Sequence, residues 1–295
     1  MAALLAVPFA ASAVGLGSYN ALVFGDFNSS FTDTEGSLAV GGNFTSSGYT
    51  VGVKLAPSGG DAMVVGGNVT WVGSGSVNNG NLRYAGTGTF QDAFNPTVNG
   101  GSRIHDPAIA SIFNPLKTQY TGLSTYLGGL AETGTSVVNH FSKWQFQLTG
   151  ASNTLNVFNV SAAKLSDCDS FIVNAPASST VLINIVDDNG HNLGLSNFGI
   201  ALNGVAKEHV VFNAPTLTSI TASGVGINGS LLAPNAAFNT LFSNLDGQLI
   251  AKSFSGGYQI NSYNFTGNLP SAVPEPGTWA ALGLGALAML RRRKR

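Results

Sequence analysis

Short apolar runs alternate along this chain with small polar clusters built on glycine. "LVFGDFNSS" at Leu22, "LAVGGNFTSS" at Leu38 and "MVVGGNVTWV" at Met63 share one pattern, with Gly25, Gly42 and Gly67 falling 17 and 25 residues apart. Each begins with a β-rich apolar triplet, turns at Gly with Asn or Asp, then alternates apolar and polar. Such runs are too short for helices and too regular for loops, so they predict strands separated by tight corners. Gly and Asn tolerate the left-handed backbone angles that corners demand. The second half repeats the idea in "FIVNAPASSTVLINI" at Phe171 and "VVFNAPTLTSITA" at Val210, whose Asn174 and Asn213 lie 39 residues apart, the length of two turns of a coil. "SLLAPNAAF" at Ser230 and "GQLIAKSF" at Gly247 continue the series.

One stretch breaks the pattern. Over residues 106–133, Ile109, Ile112, Phe113, Leu116, Tyr120, Leu123, Leu127 and Leu130 recur at three- and four-residue steps. That spacing predicts an amphipathic helix facing a core. Asp106 stands where a cap is needed, Pro107 suits the first helical position, and Pro115 is placed to kink or split the helix. The order is β coils, one helix, then more β coils. We expect a mainly β protein: a right-handed β-solenoid with one long helix packed alongside, followed by a short apolar helix at the C-terminus.

Composition narrows the setting. Charged residues make up 9% of 295, against about a quarter in ordinary soluble domains, while hydrophobic residues reach 44%, ample for a core. Net charge is −1, but five basic residues close the chain; taking these and Glu275 from the totals of 13 and 14 leaves 8 Lys and Arg against 13 Asp and Glu. No basic patch remains, so nucleic-acid binding is not expected. The single cysteine, Cys168, excludes a disulfide within the chain and reads as a small buried hydrophobe.

Both ends carry the marks of processing signals. Residues 2–9 are apolar, and Ala11-Ser12-Ala13 is a small-x-small cleavage pattern, so 1–13 resembles a secretory signal peptide, though no Lys or Arg precedes the apolar run. At the other end come Val273-Pro274-Glu275-Pro276, a 13-residue apolar run over 278–290, and Arg291, Arg292 and Arg293 within the basic close. A helix of that length reaches only about 20 Å, short of a hydrocarbon core of about 30 Å unless Trp279 and the arginines extend it at the interfaces. The three parts in this order, over 273–295, resemble a PEP-CTERM sorting signal, also known as an ice-binding protein C-terminal domain. The resemblance implies an exosortase-type partner that cleaves at the motif, export by a Gram-negative bacterium that makes exopolysaccharide, and brief membrane anchorage; an uncleaved anchor is the alternative.

The body, 18–269, resembles the choice-of-anchor A domain. The likeness rests on "YNALVFGDFNSSFTDTEGSLAVGGNFTSSGYTVG", on "LTGASNTLNVFNVSAAKLSDCDSFIVNAPASSTVLINI" and on "GINGSLLAPNAAFNTLFSNLDGQLIAKSF". The family takes its name from its varied sorting tails, brings no catalytic residues, and includes relatives linked to adhesion.

Little else points to chemistry. His105, His140, His191 and His209 are scattered without metal-ligand spacing. Asp187, Asp188 and Asn189, in "DDNGHN", put oxygen donors on a tight loop and are calcium candidates, although a polar turn explains them equally. Asp26 with Asp33-Thr34-Glu35 is a second such cluster. Trp71, Tyr84 and Tyr258 could be sugar platforms or core residues. An ice face would need ranks of Thr stacked from coil to coil, and Thr87-x-Thr89 and Thr216-x-Thr218 stand isolated in the sequence. No cofactor is expected. The expected role is non-catalytic: an exported, envelope-sorted surface or matrix protein, adhesive and associated with exopolysaccharide or another surface ligand. An enzyme acting on matrix polysaccharide, an ice binder and a plain spacer are the alternatives.

Overall fold

A computed structural model describes residues 13–91 and 96–271. Residues Gly15–Leu269 form one compact unit. It is mainly β, with one long helix. Most turns of the chain contribute a strand to each of three parallel stacks, or ladders.

The first ladder stacks Leu155–Ser161, Thr180–Val186, Val210–Asn213, the starts of the long strands Ser230–Asp246 and Leu249–Asn261, then Ala21–Val23, Leu38–Val40, Asp61–Val65, Asn81–Tyr84 and Arg103–His105. The second stacks Asn192–Ser196, Ser219–Ser223, the middles of the two long strands, Phe27–Ser29, Phe44–Ser46, Val69–Trp71 and Gly88–Phe90. The third is broken: Cys168–Asn174 and Gly199–Asn203 belong to a separate four-stranded sheet at its lower end, and above them Ile227–Asn228, the ends of the long strands, Thr32–Thr34, Tyr49–Val51, Gly75–Asn78 and Thr97–Asn99 stack in turn. In that sheet Trp144–Thr149 pairs parallel with Cys168–Asn174 and antiparallel with Thr135–His140.

The stacking order is not the chain order. The last turn, Leu249–Asn261, lies directly against the first, with Leu22 opposite Ile250 and Phe27 opposite Phe254. The N-terminal turns therefore rise from this seam, and the C-terminal turns climb to it from below.

Local sequence explains which ladder a strand joins. Ala21–Val23 and Leu38–Val40 are buried at all three positions because the helix covers their outer side. Continuous apolar runs are what a strand covered on both sides requires. Phe27–Ser29, Phe44–Ser46 and Val69–Trp71 are buried, exposed, buried, so their outer side meets solvent. Their inner side chains form an aromatic column: Phe238, Phe254, Phe27, Phe44 and Trp71, with successive ring centroids 5.9, 4.6, 5.6 and 5.0 Å apart.

The helical stretch is split as Pro115 suggests. A 3-10 turn, Pro107–Ile112, is capped by Asp106, whose carboxylate accepts from the Ala108 amide at 3.1 Å. Helix α1, Phe113–Gly128, follows and buries Phe113, Tyr120, Leu123, Ser124 and Leu127. The pattern over 106–133 thus overshoots by one turn, and Leu130 is only half-buried. Asparagines anchor the helix end. Asn159, Asn184 and Asn213 stand in register on neighbouring strands. Asn184 donates to the Leu127 carbonyl at 2.9 Å and Asn213 to the Ser124 carbonyl at 3.0 Å. Carbonyls of a last helical turn have no partner within the helix, and these side chains supply one for Leu127.

Two sequence expectations are corrected. Asn174 and Asn213 do not mark equivalent positions: Asn174 lies in the four-stranded sheet and Asn213 on the first ladder. Trp71 and Tyr258 are fully buried, so neither is a sugar platform; Tyr84 is half-buried and packs on Phe90 and His105.

A strap, residues 262–268, runs along the corner between the third ladder and the helix-covered one. The Ser262 amide donates to Glu35 at 2.9 Å, Phe265 to Gln248 at 3.0 Å and Asn268 to Thr180 at 2.8 Å. The ammonium groups of Lys207 and Lys54 lie 4.0 and 5.8 Å from the centre of the Tyr263 ring, and Lys207 pairs with Asp246. Burial alone would raise the Asp246 carboxyl, but Lys207, Asn261 and Asn244 outweigh it and hold it below the usual range. A depressed carboxyl contributes stability above its ordinary value near 4, lost as pH falls through the folded value. Asp246→Asn should therefore melt below wild type at pH 7, and the gap should shrink below about pH 4. Thermal melts across that range check it; a gap independent of pH would show that the charge is not what matters.

Candidate binding face

The second ladder presents one exposed column. Its outward side chains, from the lower end upward, are Gly194, Thr221, Asn239, Ser255, Asn28, Thr45, Thr70 and Thr89, each paired in register with the next. All but Gly194 are exposed. Adjacent strands lie about 4.8 Å apart, so the column extends about 34 Å. Every member is small, uncharged and, except Gly194, able to donate and accept hydrogen bonds.

A second column flanks it at the corner. The Asn43 amide donates to the Asp26 carboxylate at 2.8 Å, Asn68 to the Asn43 side chain at 3.0 Å and Thr87 to the Asn68 side chain at 2.8 Å. Each side chain thus caps the corner above it, which fixes the backbone of the face without charge pairs. The corner glycines allow the turns to stack this closely: a Cβ on Gly67 would stand 2.5 Å from the Gly42 carbonyl oxygen.

The face is not a plane throughout. One open groove is lined by Ser166, Gly194, Ser196, Thr221, Asn239 and Leu241 among others, and another at the seam by Asp26, Asn28, Lys252 and Ser255 among others. Their linings mix apolar surface with hydroxyls and amides, and the seam groove adds the charges of Asp26 and Lys252. At the opposite corner, Phe31, Leu241 and Phe242 are exposed.

The strap leaves from the corner opposite this face.

The residues singled out in the sequence fall elsewhere. Asp187 accepts from the His191 amide at 2.8 Å and pairs with the His191 ring, Asp188 accepts from the Ala163 amide at 2.9 Å, and the Asn189 side chain donates to the Asn192 carbonyl at 3.3 Å. Burial works against both carboxylates, yet hydrogen bonds from the His191 amide and ring to Asp187, and from the Ser161 side chain and the Ala163 amide to Asp188, hold them below the usual range. The loop thus spends its donors and acceptors on itself and on the short helix Ala162–Ser166. Asp26 and Asp33 are separated: Asp26 serves the corner, while Asp33 faces Gln259 on the third ladder. Among the described residues no cluster of three His, Cys, Asp or Glu side chains could hold a metal. Cys168 is buried, which pushes its thiol up to about 11, as a core residue requires. Ala13 falls in the two-residue strand Ala13–Val14. Ala11, Val273, Pro274, Glu275, Pro276, Trp279, Arg291, Arg292 and Arg293, and the helix expected over 278–290, lie outside the described residues. Among the described residues no helix is long and apolar enough to cross a membrane.

Sequence reasoning missed the column, although a count would have found it. Asn28, Thr45, Thr70 and Thr89 each follow a corner glycine, Gly25, Gly42, Gly67 and Gly86, by three residues. Extending the glycine series by one turn places Thr89 in register with Thr70, so it is not isolated.

Comparison with known proteins gives two family matches. The model of an ice-binding-like adhesive domain matches residues 12–262, the stretch that carries the choice-of-anchor A likeness. A PEP-CTERM protein-sorting motif matches residues 272–295, as the tail implied. No curated protein matches. Among solved structures, an ice-binding protein from the Antarctic ascomycete Antarctomyces psychrotrophicus is 16% identical, with 86% of this chain and 98% of that one covered at a TM-score of 0.39. An ice-binding protein from an Antarctic biological consortium is 15% identical, covering 91% and 97% at 0.38. A glycosylated ice-binding protein from an Arctic yeast is 14% identical, covering 90% and 96% at 0.35.

Proposed function

The chain belongs to the ice-binding-like adhesive domain family and ends in a PEP-CTERM sorting motif, and from that premise we propose that it is a non-catalytic surface adhesin. On this reading residues 1–13 direct export. Residues 18–269 form a right-handed β-solenoid, and an exosortase-type enzyme acts at 273–295, where the tail anchors the chain briefly in the membrane. The body then holds the host's exopolysaccharide through its exposed face.

The observation that carries this reading is the in-register column from Thr221 to Thr89. A repeating polymer meets a repeating face at many points, so weak single hydrogen bonds add into useful avidity. The absence of charge from the column suits a hydroxyl-rich ligand and not an anionic lipid surface.

Ice is the second reading. Thr45, Thr70 and Thr89 stack in register, as an ice face requires. Against it stand the asparagines at Asn239 and Asn28 and the two grooves, which break the regularity of the face.

Co-sedimentation of the purified protein with the host's exopolysaccharide tests the proposal. Saturable retention is expected, weakened at least about tenfold by Thr70→Tyr, which lifts a ring off the column. Retention without that loss would remove the face from the account. Chelator should leave retention unchanged, because the Asp187 and Asp188 carboxylates are already taken by His191 and the Ala163 amide. Growth inhibition of ice crystals without polysaccharide retention would favour the second reading.

A further inference from the structure

At the corner beside the exposed column, Phe31 is the bulkiest of three non-glycine residues that take a positive φ, the others being Asn197 at +54° and Ser243 at +143°. Neighbouring turns place glycine there, in the left-handed region: Gly48 at φ +144°, Gly73 at +79° and Gly224 at +64°. The turn between Asn28 and Thr32 places Phe31, at φ +60° and 84% exposed. A bulky residue with positive φ is a backbone outlier, and an exposed phenyl gains little from burial to offset it. Strain of this kind, uncompensated within the fold, is a mark of function.

A second aromatic stands nearby. Leu241 and Phe242 are 66% and 65% exposed at the same corner, on the strand Ser230–Asp246. Gly257 pairs with Phe242 and lies on the strand that bears Gly256 and joins Phe27–Ser29, so a glycine turn separates the two rings. Phe242 leans toward Gly224, and Phe31 toward Gly48, each away from that turn. The result is an open slot over the Gly256–Gly257 backbone, flanked by phenyls whose strands lie two spacings, roughly 9–10 Å, apart and whose rings diverge from there. Leu241 also lines the lower groove. Hydroxyls of Ser30 and Ser47 and the exposed Asn28 and Ser255 border it.

We infer that this slot holds the rings of a neutral polysaccharide, with Phe31 and Phe242 stacking on the apolar C–H faces of the sugars. The inference rests on the polysaccharide reading of the exposed face. The chemistry selects the ligand class. A sugar ring is apolar on its faces and hydroxylated at its rim, and this slot is apolar on its walls and polar at its border. No Lys or Arg occurs among the corner residues 30–31, 47–48, 72–74, 223–226, 241–243 and 256–257, and Lys252, in the seam groove, is accompanied by Asp26, so the slot itself offers phosphate or anionic lipid no counter-charge.

The test uses Phe31→Gly, Phe242→Ala and, as control, Thr70→Tyr, in the full chain, with the host's exopolysaccharide and a neutral soluble β-glucan as probes. Phe31→Gly should hold or raise the Tm, by up to about 3 °C, because glycine relieves the backbone. It should also weaken retention about tenfold, as Phe242→Ala should. A variant that is at least as stable and binds worse cannot be explained by unfolding. If both Phe variants bind like wild type while Thr70→Tyr does not, the slot is overturned and the face stands. If no probe is retained by wild type, both fall. If Phe31→Gly abolishes a concentration-dependent dimer in sedimentation velocity and leaves retention intact, the occupant is a second copy and the inference is overturned.

Discussion

Replacing Asn213 with alanine is expected to destabilise the protein by about 2–4 kcal/mol, lowering the Tm by on the order of 10 °C. Asn213 is fully buried beneath helix α1. Its amide donates to the Asn184 side-chain oxygen at 2.8 Å and to the Ser124 carbonyl at 3.0 Å, and its own oxygen accepts from the Ser124 hydroxyl at 2.6 Å. Alanine strands the Asn184 oxygen and the Ser124 hydroxyl in a buried site. Leaving buried polar groups unpaired costs about 1–3 kcal/mol each, more than the bonds themselves are worth in net terms. Loss of less than about 1 kcal/mol in urea unfolding would mean that apolar packing alone fixes the helix.

Phe27→Ala should cost about 3–5 kcal/mol, the range for removing a buried aromatic. Phe27 stacks on Phe254 across the seam at 4.6 Å and on Phe44 at 5.6 Å, and Tyr49 meets it edge-on at 5.4 Å. The first and last turns of the unit meet here, so the cavity would open where the N-terminal turns rest on the C-terminal ones. A single cooperative unfolding transition, shifted down, is expected. Two separated transitions would show that the halves fold independently and that the seam is weaker than its packing implies.

Much of this architecture is legible in the sequence because it is local. Apolar triplets such as Leu38-Ala39-Val40 announce strands covered on both sides, and alternation such as Val69-Thr70-Trp71 announces strands with one wet side. The same alternation already places Thr70 outward and Trp71 inward, which decides between the platform and core readings of Trp71 in favour of the core. The helix announces itself through its period, and its break through Pro115. What stays hidden is the order of stacking. The seam pairs Leu22 with Ile250, and no spacing rule links positions so far apart. The Asn-Ala-Pro motif misleads for a related reason: it marks a corner after a strand, and every ladder ends in corners. The exposed column depends on register between turns of unequal length, so it emerges only once the corner glycines are aligned.

The central claim, that the outward column carries binding, is best tested by blocking it with a bulky label. Cys168 is buried with its thiol pushed up to about 11, so an introduced surface cysteine reacts alone. Thr70→Cys on the column and Lys117→Cys on the outer side of helix α1 would each be coupled to a large maleimide polymer, and retention on the host's exopolysaccharide measured. The account predicts that the label at position 70 abolishes retention and the label at position 117 leaves it intact. Equal retention from both conjugates would contradict it.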